Sequence, residues 1–304
     1  MSNAFPDHWG MRFTPTIHSK PEGPTDPSNT TLPANFTVCI TGAGKGLGYH
    51  IGLAYARAGA KGLCISSRTQ ADLDKLAAEI KVVAPRADVL VQTCDTQDEG
   101  QVEALAGAVW ARWGRCDVVV ANAGVISKYV TREGQEGEFL PVGVVEDGDL
   151  ERVVGTNLLG TWRYVPPFPP PFPPPTLLSR IVDGRPSVAK HFIPHLAATR
   201  DGGPRAFVAI TSIAAHMRDS AVTPFAYNLS KMGMNRLVEH IAVDHGAQGI
   251  QAFAVHPGAV LTPQTERHHE TQMGGRWTDC EFFSFHRDSF AWNWCWFDGW
   301  NVGC

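Results

Sequence analysis

The sequence has no long apolar run and little net charge. No run of apolar residues approaches the roughly 20 that a helix needs to cross a bilayer. The opening residues, among them Pro6, Asp7 and His8, lack the basic and then apolar order of a signal peptide. The formal net charge of −4 over 304 residues gives no basic surface for nucleic acid. We therefore expect a soluble, cytoplasmic protein that binds neither membranes nor nucleic acid.

Closely spaced cysteine pairs are also absent, because no two of the seven cysteines have CxxC spacing. Three are scattered near the end of the chain: Cys280, Cys295 and Cys304. The other four fall in or beside apolar, strand-like runs: Cys39, Cys64, Cys94 and Cys116. We interpret these four as buried free thiols in a reducing compartment, the alternative being a redox or metal role.

Two histidine pairs have spacings that a metal could use, His191 with His195 and His268 with His269. No cysteine or carboxylate completes a ligand set, and histidines on a helix surface are the ordinary alternative. We therefore expect no metal.

From Phe36 onward, strand-like and helix-like apolar patterns alternate. The strand-like runs are FTVCI, GLCISS, DVLVQTC, CDVVVANAG, RAFVAITS and IQAFAVHPG. This alternation predicts right-handed βαβ crossovers, and so an α/β Rossmann fold with a doubly wound parallel sheet. We expect one domain over residues 36–262, preceded by an irregular arm (1–35) and followed by an atypical tail (263–304).

The glycine-rich segment TGAGKGLG (41–48) lies between a strand and a helix. In that context free backbone amides and the positive end of the helix dipole point at a pyrophosphate. Gly42 suits a tight turn, Gly46 a close approach to phosphate, and Gly48 close packing of helix on strand. Ordinary turn glycines are the alternative, but the context favours a dinucleotide site.

The motif YNLSK places Tyr227 and Lys231 one helical turn apart on the same face. A tyrosine can act as acid and base only if its pKa of about 10 is lowered. A lysine ammonium beside it favours the phenolate and so lowers that pKa. The pair therefore indicates hydride chemistry at a carbonyl or alcohol, whereas alone Tyr227 would be read as a core aromatic.

Together these motifs resemble the short-chain dehydrogenase/reductase family, over residues 36–262 without the proline-rich insert described below. The family's further markers stand in order along the chain: Asp95, NAG at 122–124, Asn157, Ser212 and HPGAVLT at 256–262. His256 departs from the pattern, since the family often has asparagine there. The interval from Ser212 to Tyr227 is slightly long for the family and suggests an enlarged loop over the substrate.

The resemblance implies site residues. Tyr227 would donate the proton, Ser212 would hydrogen-bond the substrate oxygen, Lys231 would hold the nicotinamide ribose, and Asn157 would hold a water leading to Lys231. The implied cofactor-binding residues, which include the catalytic Tyr227 and Lys231, are Thr41, Gly42, Gly44, Lys45, Gly46, Leu47, Gly48, Ser67, Arg68, Asp95, Asn122, Ala123, Gly124, Tyr227, Lys231, Pro257, Gly258, Val260 and Thr262. Of these, Asp95 would receive the adenine amino group, or serve only as a turn former. Val260 and Thr262 would contact the carboxamide.

Charge predicts the cofactor. A site for NAD places a carboxylate after the second strand to bind the ribose 2′-hydroxyl, but here Ser67 and Arg68 stand there, with Lys45 in the glycine turn. Two cations and no acid favour the 2′-phosphate, so we expect NADP(H) in preference to NAD(H), unless both cations are merely solvated surface residues.

Residues 166–175 hold eight prolines, which no helix or sheet interior accepts. They suggest an exposed polyproline II ligand or, as we prefer, a foreign insert of translated intron over about 166–185. Without it, TWRYV and VAKHFIPHL would join into one helix. The aromatic tail 281–304 has neither strand nor helix period, and indicates out-of-frame sequence or an aromatic lid over the substrate.

The leading hypothesis is thus an NADP-dependent oxidoreductase acting on a small carbonyl or alcohol, and a homo-oligomer is compatible with the resemblance. The alternatives are a catalytically impaired cofactor-binding or scaffold protein, because of the insert and tail, and a proline-rich adaptor.

Overall fold

Six strands form one parallel sheet in this computed structural model, which describes residues 26–127, 148–161, 188–200, 203–218, 220, 223–258, 262–264, 296–298 and 301–303. The strands are β1 (Thr37–Thr41), β2 (Gly62–Ser67), β3 (Asp88–Thr93), β4 (Val118–Ala121), β5 (Ala206–Ile210) and β6 (Gln251–Val255). Their order across the sheet is β3-β2-β1-β4-β5-β6. The order reverses beside β1, so the carboxyl ends of β1 and β4 flank the crevice where such sheets bind ligands. The predicted doubly wound Rossmann sheet is confirmed.

Helices connect the strands and cover both faces. They are α1 (Gly46–Arg57), α2 (Gln70–Val83), α3 (Glu99–Trp113), α4 (Asp149–Val154), α5 (Val188–Ala198) and α6 (Phe225–His245). A π-helical turn, Gly155–Leu159, continues α4, and short 3-10 turns lie at Pro27–Asn29, Ile213–His216 and Gly246–Gln248. Among the described residues no helix is long and apolar enough to cross a membrane.

The central strands β1, β4 and β5 are buried on both faces, which is why they read as continuous apolar runs. In β1, Val38 and Ile40 pack on one side of the sheet, while Cys39 packs on the other. Cys39 stands directly opposite Cys64 on β2 in the parallel register. All four cysteines of this region are buried and free, as predicted, and burial raises the pKa of the Cys39 and Cys116 thiols well above the usual value. No metal-ligand group occurs among the described residues.

Two further strands, β7 (Trp296–Asp298) and β8 (Asn301–Gly303), pair antiparallel in a sheet of their own. They fall within the tail for which the sequence predicted no strand, and that prediction is wrong at these six positions. Three-residue strands are too short for an alternating pattern to be visible. The arm up to residue 25, most of the insert and most of the tail lie outside the described residues.

The helix that carries Asn157 continues across the insert. The backbone N–H of Val188 donates to the carbonyl oxygen of Gly160 (3.3 Å), and that of Ala189 to Thr161 (3.2 Å). An α-helix joins each N–H to the carbonyl four residues earlier. Here donor and acceptor are 28 residues apart, which is 24 more than helical spacing requires. The hydrogen bonds therefore give the excess a length of 24 residues, slightly more than the 166–185 expected from composition.

We predict that deleting residues 164–187, which joins Arg163 to Val188, raises the thermal midpoint by several degrees. The 24-residue deletion restores helical spacing and removes a loop whose closure costs about 3 kcal/mol. Deleting residues 166–187 instead leaves two extra residues, which turn the following helix by roughly 200°, so this control should be less stable than the 24-residue deletion. Melting curves with NADPH added would compare the three proteins. Equal midpoints for the two deletions would contradict the helical register.

Candidate active site

The glycine-rich turn between β1 and α1 packs tightly against the end of β4. Gly42 has a φ of +66°, and a Cβ there would lie 2.7 Å from the Cα of Ala123. A Cβ on Gly48 would overlap the carbonyl oxygen of Gly42. Since only glycine fits at these two positions, the turn closes tightly in front of the N-terminus of α1. The turn has the form expected of a phosphate cradle.

Asn122 fastens this turn to β4. Its Nδ2 donates to the carbonyl oxygens of Thr41 (2.9 Å) and Gly42 (3.1 Å). The backbone N–H groups of Asn122 and Ala123 each donate to Thr41 Oγ1 at 3.2 Å. The predicted residues from the first and fourth strands therefore form one hydrogen-bonded cluster.

The charges beside the end of β2 differ from the sequence-based count. Lys45 Nζ lies 3.2 Å from Asp72 Oδ2, and Arg68 is exposed directly after the half-buried Ser67. The expectation of two cations and no acid must therefore be corrected. Asp72 belongs to the first turn of α2, where nothing in the strand-end pattern marks it, and only the fold brings it to Lys45.

Other predicted cofactor residues lie around the same crevice. Thr262 approaches the glycine turn, since a Cβ on Gly46 would lie 3.3 Å from the Thr262 Cβ. Gly258 has a φ of +81°. Asp95 Oδ1 accepts a hydrogen bond from the N–H of Gln97 (3.0 Å), so its turn-forming role is present. Val260 lies outside the described residues, as does part of the loop before Tyr227.

Lys231 is buried on α6, with only 5% of its surface exposed. Its Nζ donates to the carbonyl oxygen of Ile210 at the end of β5 (2.7 Å) and lies 5.6 Å from the centroid of the Tyr227 ring. Burial lowers the pKa of Lys231 to about 7. The amine can therefore gain or lose a proton near neutral pH.

Tyr227 lies one turn before Lys231, on the first part of α6. Burial raises the pKa of its phenol, and a hydrogen bond with Ser212 opposes that shift. Ser212 begins the 3-10 turn after β5, where its Oγ also accepts from the N–H of Ala214 (3.1 Å). The three predicted residues Ser212, Tyr227 and Lys231 are thus brought together. The lowered pKa that the sequence predicted for Tyr227 must be corrected, because burial of the phenol outweighs the hydrogen bond with Ser212 and raises its pKa.

Asn157 is completely buried in the π-helical turn. Its Oδ1 accepts from the N–H of Val125 (2.7 Å), while its Nδ2 donates to the Val125 carbonyl oxygen (2.9 Å) and to Ser230 Oγ (3.0 Å). The side chain therefore ties the segment after β4 to α6. Sequence reasoning assigned Asn157 a water and did not identify Ser230, although Ser230 stands inside the YNLSK motif.

Gly124 completes this cluster. A Cβ there would lie 3.2 Å from Asn157 Oδ1 and 3.7 Å from Lys231 Nζ. The last residue of the NAG segment is therefore a neighbour of both Asn157 and Lys231.

We predict that the free energy of unfolding rises with pH between about 7 and 8.5 because of Lys231. The folded pKa is about 7, below the ordinary value of 10.5, so in this window the unfolded chain binds more protons than the folded one. The slope from this one group is at most about 1.4 kcal/mol per pH unit. Urea titrations of the protein and of Lys231→Met would measure it.

The Lys231→Met variant serves as its own control, since thiols and other groups contribute equally to both proteins. The difference in stability between them should favour the variant below pH 7 and shrink as the pH rises. Parallel curves across this window would show that Lys231 keeps an ordinary pKa in the folded protein.

Comparison with known proteins agrees with the geometry. Residues 36–169 match the family described as short chain dehydrogenase, and residues 178–280 match enoyl-(acyl carrier protein) reductase. The unmatched residues between them lie within and just after the proline-rich run.

Individual proteins extend this match. The short chain dehydrogenase pgmD of Aspergillus terreus is 30% identical over 267 residues, which cover 85% of this chain and 74% of pgmD. Sepiapterin reductase of Chlorobaculum tepidum is 31% identical over 230 residues, covering 74% of this chain and 77% of the reductase. The crystal structure of levodione reductase superposes with a TM-score of 0.60 at 26% identity, covering 77% of this chain and 76% of that one. The chain therefore belongs to the short-chain dehydrogenase/reductase family, whose members are nicotinamide-dependent oxidoreductases acting on CH–OH and C=O groups.

Proposed function

We propose that this protein is an NADP-dependent reductase or dehydrogenase that interconverts a small carbonyl compound and the corresponding alcohol. The observation that carries the proposal is the position of the Lys231 amine, buried between the Ile210 carbonyl oxygen and the Tyr227 ring, with Ser212 hydrogen-bonded to the same tyrosine. A proton donor, its charge partner and a hydrogen-bonding hydroxyl thus meet at the carboxyl ends of the strands, where this fold binds ligands.

The crevice fits a dinucleotide. The positions of Gly42 and Gly48 leave room only for backbone, so the amides of the turn can approach a pyrophosphate closely. In this proposal the glycine turn holds the pyrophosphate, Ser67, Arg68 and Lys45 hold the adenosine ribose with its 2′-phosphate, and Asp95 holds the adenine. The NAG segment, Pro257, Gly258, Val260 and Thr262 hold the nicotinamide half. When bound, the nicotinamide supplies or accepts the hydride.

The side chains of this chain supply the proton chemistry. The carbonyl oxygen of a substrate becomes negative as it is reduced, so a proton must reach it in the same step. Tyr227 is positioned to give that proton, because its phenol is hydrogen-bonded to Ser212 and its ring lies beside the Lys231 amine. Ser212 would hydrogen-bond the same substrate oxygen and orient it.

Lys231 makes this proton transfer reversible in the proposed mechanism. In its charged form the amine stabilises the phenolate that remains after the proton has left. Because its pKa is about 7, Lys231 can itself take up or release a proton at neutral pH. The hydrogen bonds of Asn157 tie α6, which carries both the amine and the ring, to the segment after β4.

A carbonyl or alcohol substrate is supported by the relatives, which are named as dehydrogenases and reductases. The proposal is completed by a cytoplasmic location, which rests on composition, and by assembly into a homo-oligomer, which rests on the family resemblance.

The first prediction from this proposal concerns chemistry. Tyr227→Phe should lower kcat/KM by at least about 100-fold, because the proton donor is lost, while the Kd for NADPH changes less than about twofold. Loss of NADPH absorbance with a panel of ketones and aldehydes measures turnover. Tyr55→Phe, at a half-buried tyrosine of α1, is the matched control and should leave both constants unchanged.

Two results would count against this assignment. Substantial turnover by Tyr227→Phe would place the proton donor elsewhere. Tight NADPH binding with no turnover by the parent protein on any carbonyl would favour the impaired cofactor-binding protein instead.

The second prediction concerns the cofactor. NADPH should bind at least about tenfold more tightly than NADH, since each charge-assisted contact to the 2′-phosphate contributes roughly 1–3 kcal/mol. Arg68→Asp should reverse this order by replacing the cation with the acid that a 2′-hydroxyl prefers. Fluorescence titration with both cofactors measures the two constants, and equal affinities in the parent protein would contradict the NADP assignment.

A further inference from the structure

Asp72 stands among the residues proposed to bind the adenosine end of the cofactor, although no motif includes it. Its Oδ2 lies 3.2 Å from Lys45 Nζ. A Cβ on Gly44 would lie 3.1 Å from the Asp72 Cβ and 2.7 Å from Ser67 Oγ. Asp72 and Ser67 therefore pack on the same residue of the glycine turn, and the carboxylate lies beside Lys45 of that turn.

The N-terminus of α2 is a favourable position for the negative charge of Asp72. Asp72 lies in the first turn of the helix, and the Thr69 side chain forms no capping hydrogen bond there. A negative side chain in the first helical turn is stabilised by the unpaired N–H groups and by the helix dipole. Asp72 thus lies both in the first turn of the helix and beside Lys45.

We propose that Asp72 restrains the preference for NADPH and so sets the cofactor selectivity of this chain. The proposal rests on the proposed use of Lys45 to bind the 2′-phosphate. With Asp72 present, Lys45 must leave an ion pair before it can contact the phosphate, and the carboxylate left behind repels the phosphate charge. The same carboxylate is an acceptor of the kind that a ribose 2′-hydroxyl donates to in NAD sites.

The exposure of the pair shows that the restraint is moderate. The Lys45 side chain is 63% exposed and that of Asp72 is 26% exposed, so solvent screens the attraction and Lys45 can exchange partners. Removing the carboxylate should therefore shift cofactor affinity by about three- to tenfold. The shift should shrink in high salt, because the screening length falls to about 3 Å at 1 M.

The test compares Asp72→Asn with Asp74→Asn. Both changes remove one negative charge from α2, but Asp74 accepts a hydrogen bond from Gln70 Nε2 (2.7 Å) and, in the described part of the chain, forms no salt bridge with Lys45. Fluorescence titrations with NADPH and NADH at low and high salt give the four affinities for each protein. Asp72→Asn should tighten NADPH about three- to tenfold, leave NADH unchanged or weaker, and lose most of this gain at high salt. Asp74→Asn should change each Kd less than about twofold.

Two further variants keep the outcomes separate. Asp72→Ser must reproduce the shift of Asp72→Asn, which excludes an effect of the new amide. Lys45→Met tests the proposed function itself, since it should weaken NADPH more than NADH. In the Lys45→Met background the gain from Asp72→Asn should become smaller, because no cation is left to release.

The inference is overturned if Asp72→Asn weakens NADPH, or shifts it no more than Asp74→Asn does. The NADP assignment fails separately, if Lys45→Met leaves both affinities unchanged and the parent protein binds the two cofactors equally.

Discussion

The hydrogen bonds of the buried Asn157 side chain are the interactions on which the proposed catalytic half of this site depends. Its amide group uses both polar atoms on protein partners, Val125 on one side and Ser230 on the other. Leaving such buried groups without partners costs about 1–3 kcal/mol each. These hydrogen bonds therefore strongly favour a single arrangement of Asn157, Val125 and Ser230. Ser230 precedes Lys231, whose amine in turn reaches the carbonyl oxygen of Ile210. Asn157 thus connects the segment after β4 to α6, and Lys231 connects α6 to the end of β5.

The position of Asn157 in the chain explains how the site can form although a long proline-rich segment interrupts the helix. Asn157 lies before the interruption, and the helix resumes at Val188 with its first N–H groups bonded to Gly160 and Thr161. Because these hydrogen bonds keep the helical register, the partners of Asn157 remain in place on both sides of the interruption. Without the hydrogen bonds from Val188 and Ala189, the helix would not resume in register. The direction of α5 and its packing against the sheet would then be different.

Sequence reasoning succeeded where the determinants are local. The glycine turn follows from backbone space at Gly42 and Gly48, and the tyrosine–lysine pair follows from helical spacing, so both could be predicted from a few adjacent residues. The sequence did not reveal Asp72, because its meeting with Lys45 depends on how α2 packs beside the glycine turn. Likewise, the partners of Asn157 lie 32 and 73 positions away along the chain. Composition marked the insert, but only hydrogen bonds gave its helical register.

The two lysines of the site show how environment decides what a charge can do. Lys45 is exposed, so solvent screens its attraction to Asp72, and exchanging Asp72 for another partner costs little free energy. Lys231 is buried, where the same charge is costly enough to bring its pKa to about 7 and where the amine has a fixed acceptor. On the proposed roles of the two residues, substitutions around Lys45 should alter cofactor choice gradually, whereas substitutions around Lys231 should disturb folding and proton transfer together. For that reason we expect selectivity in this chain to be adjustable at the adenosine end, while the chemistry at the other end tolerates little change.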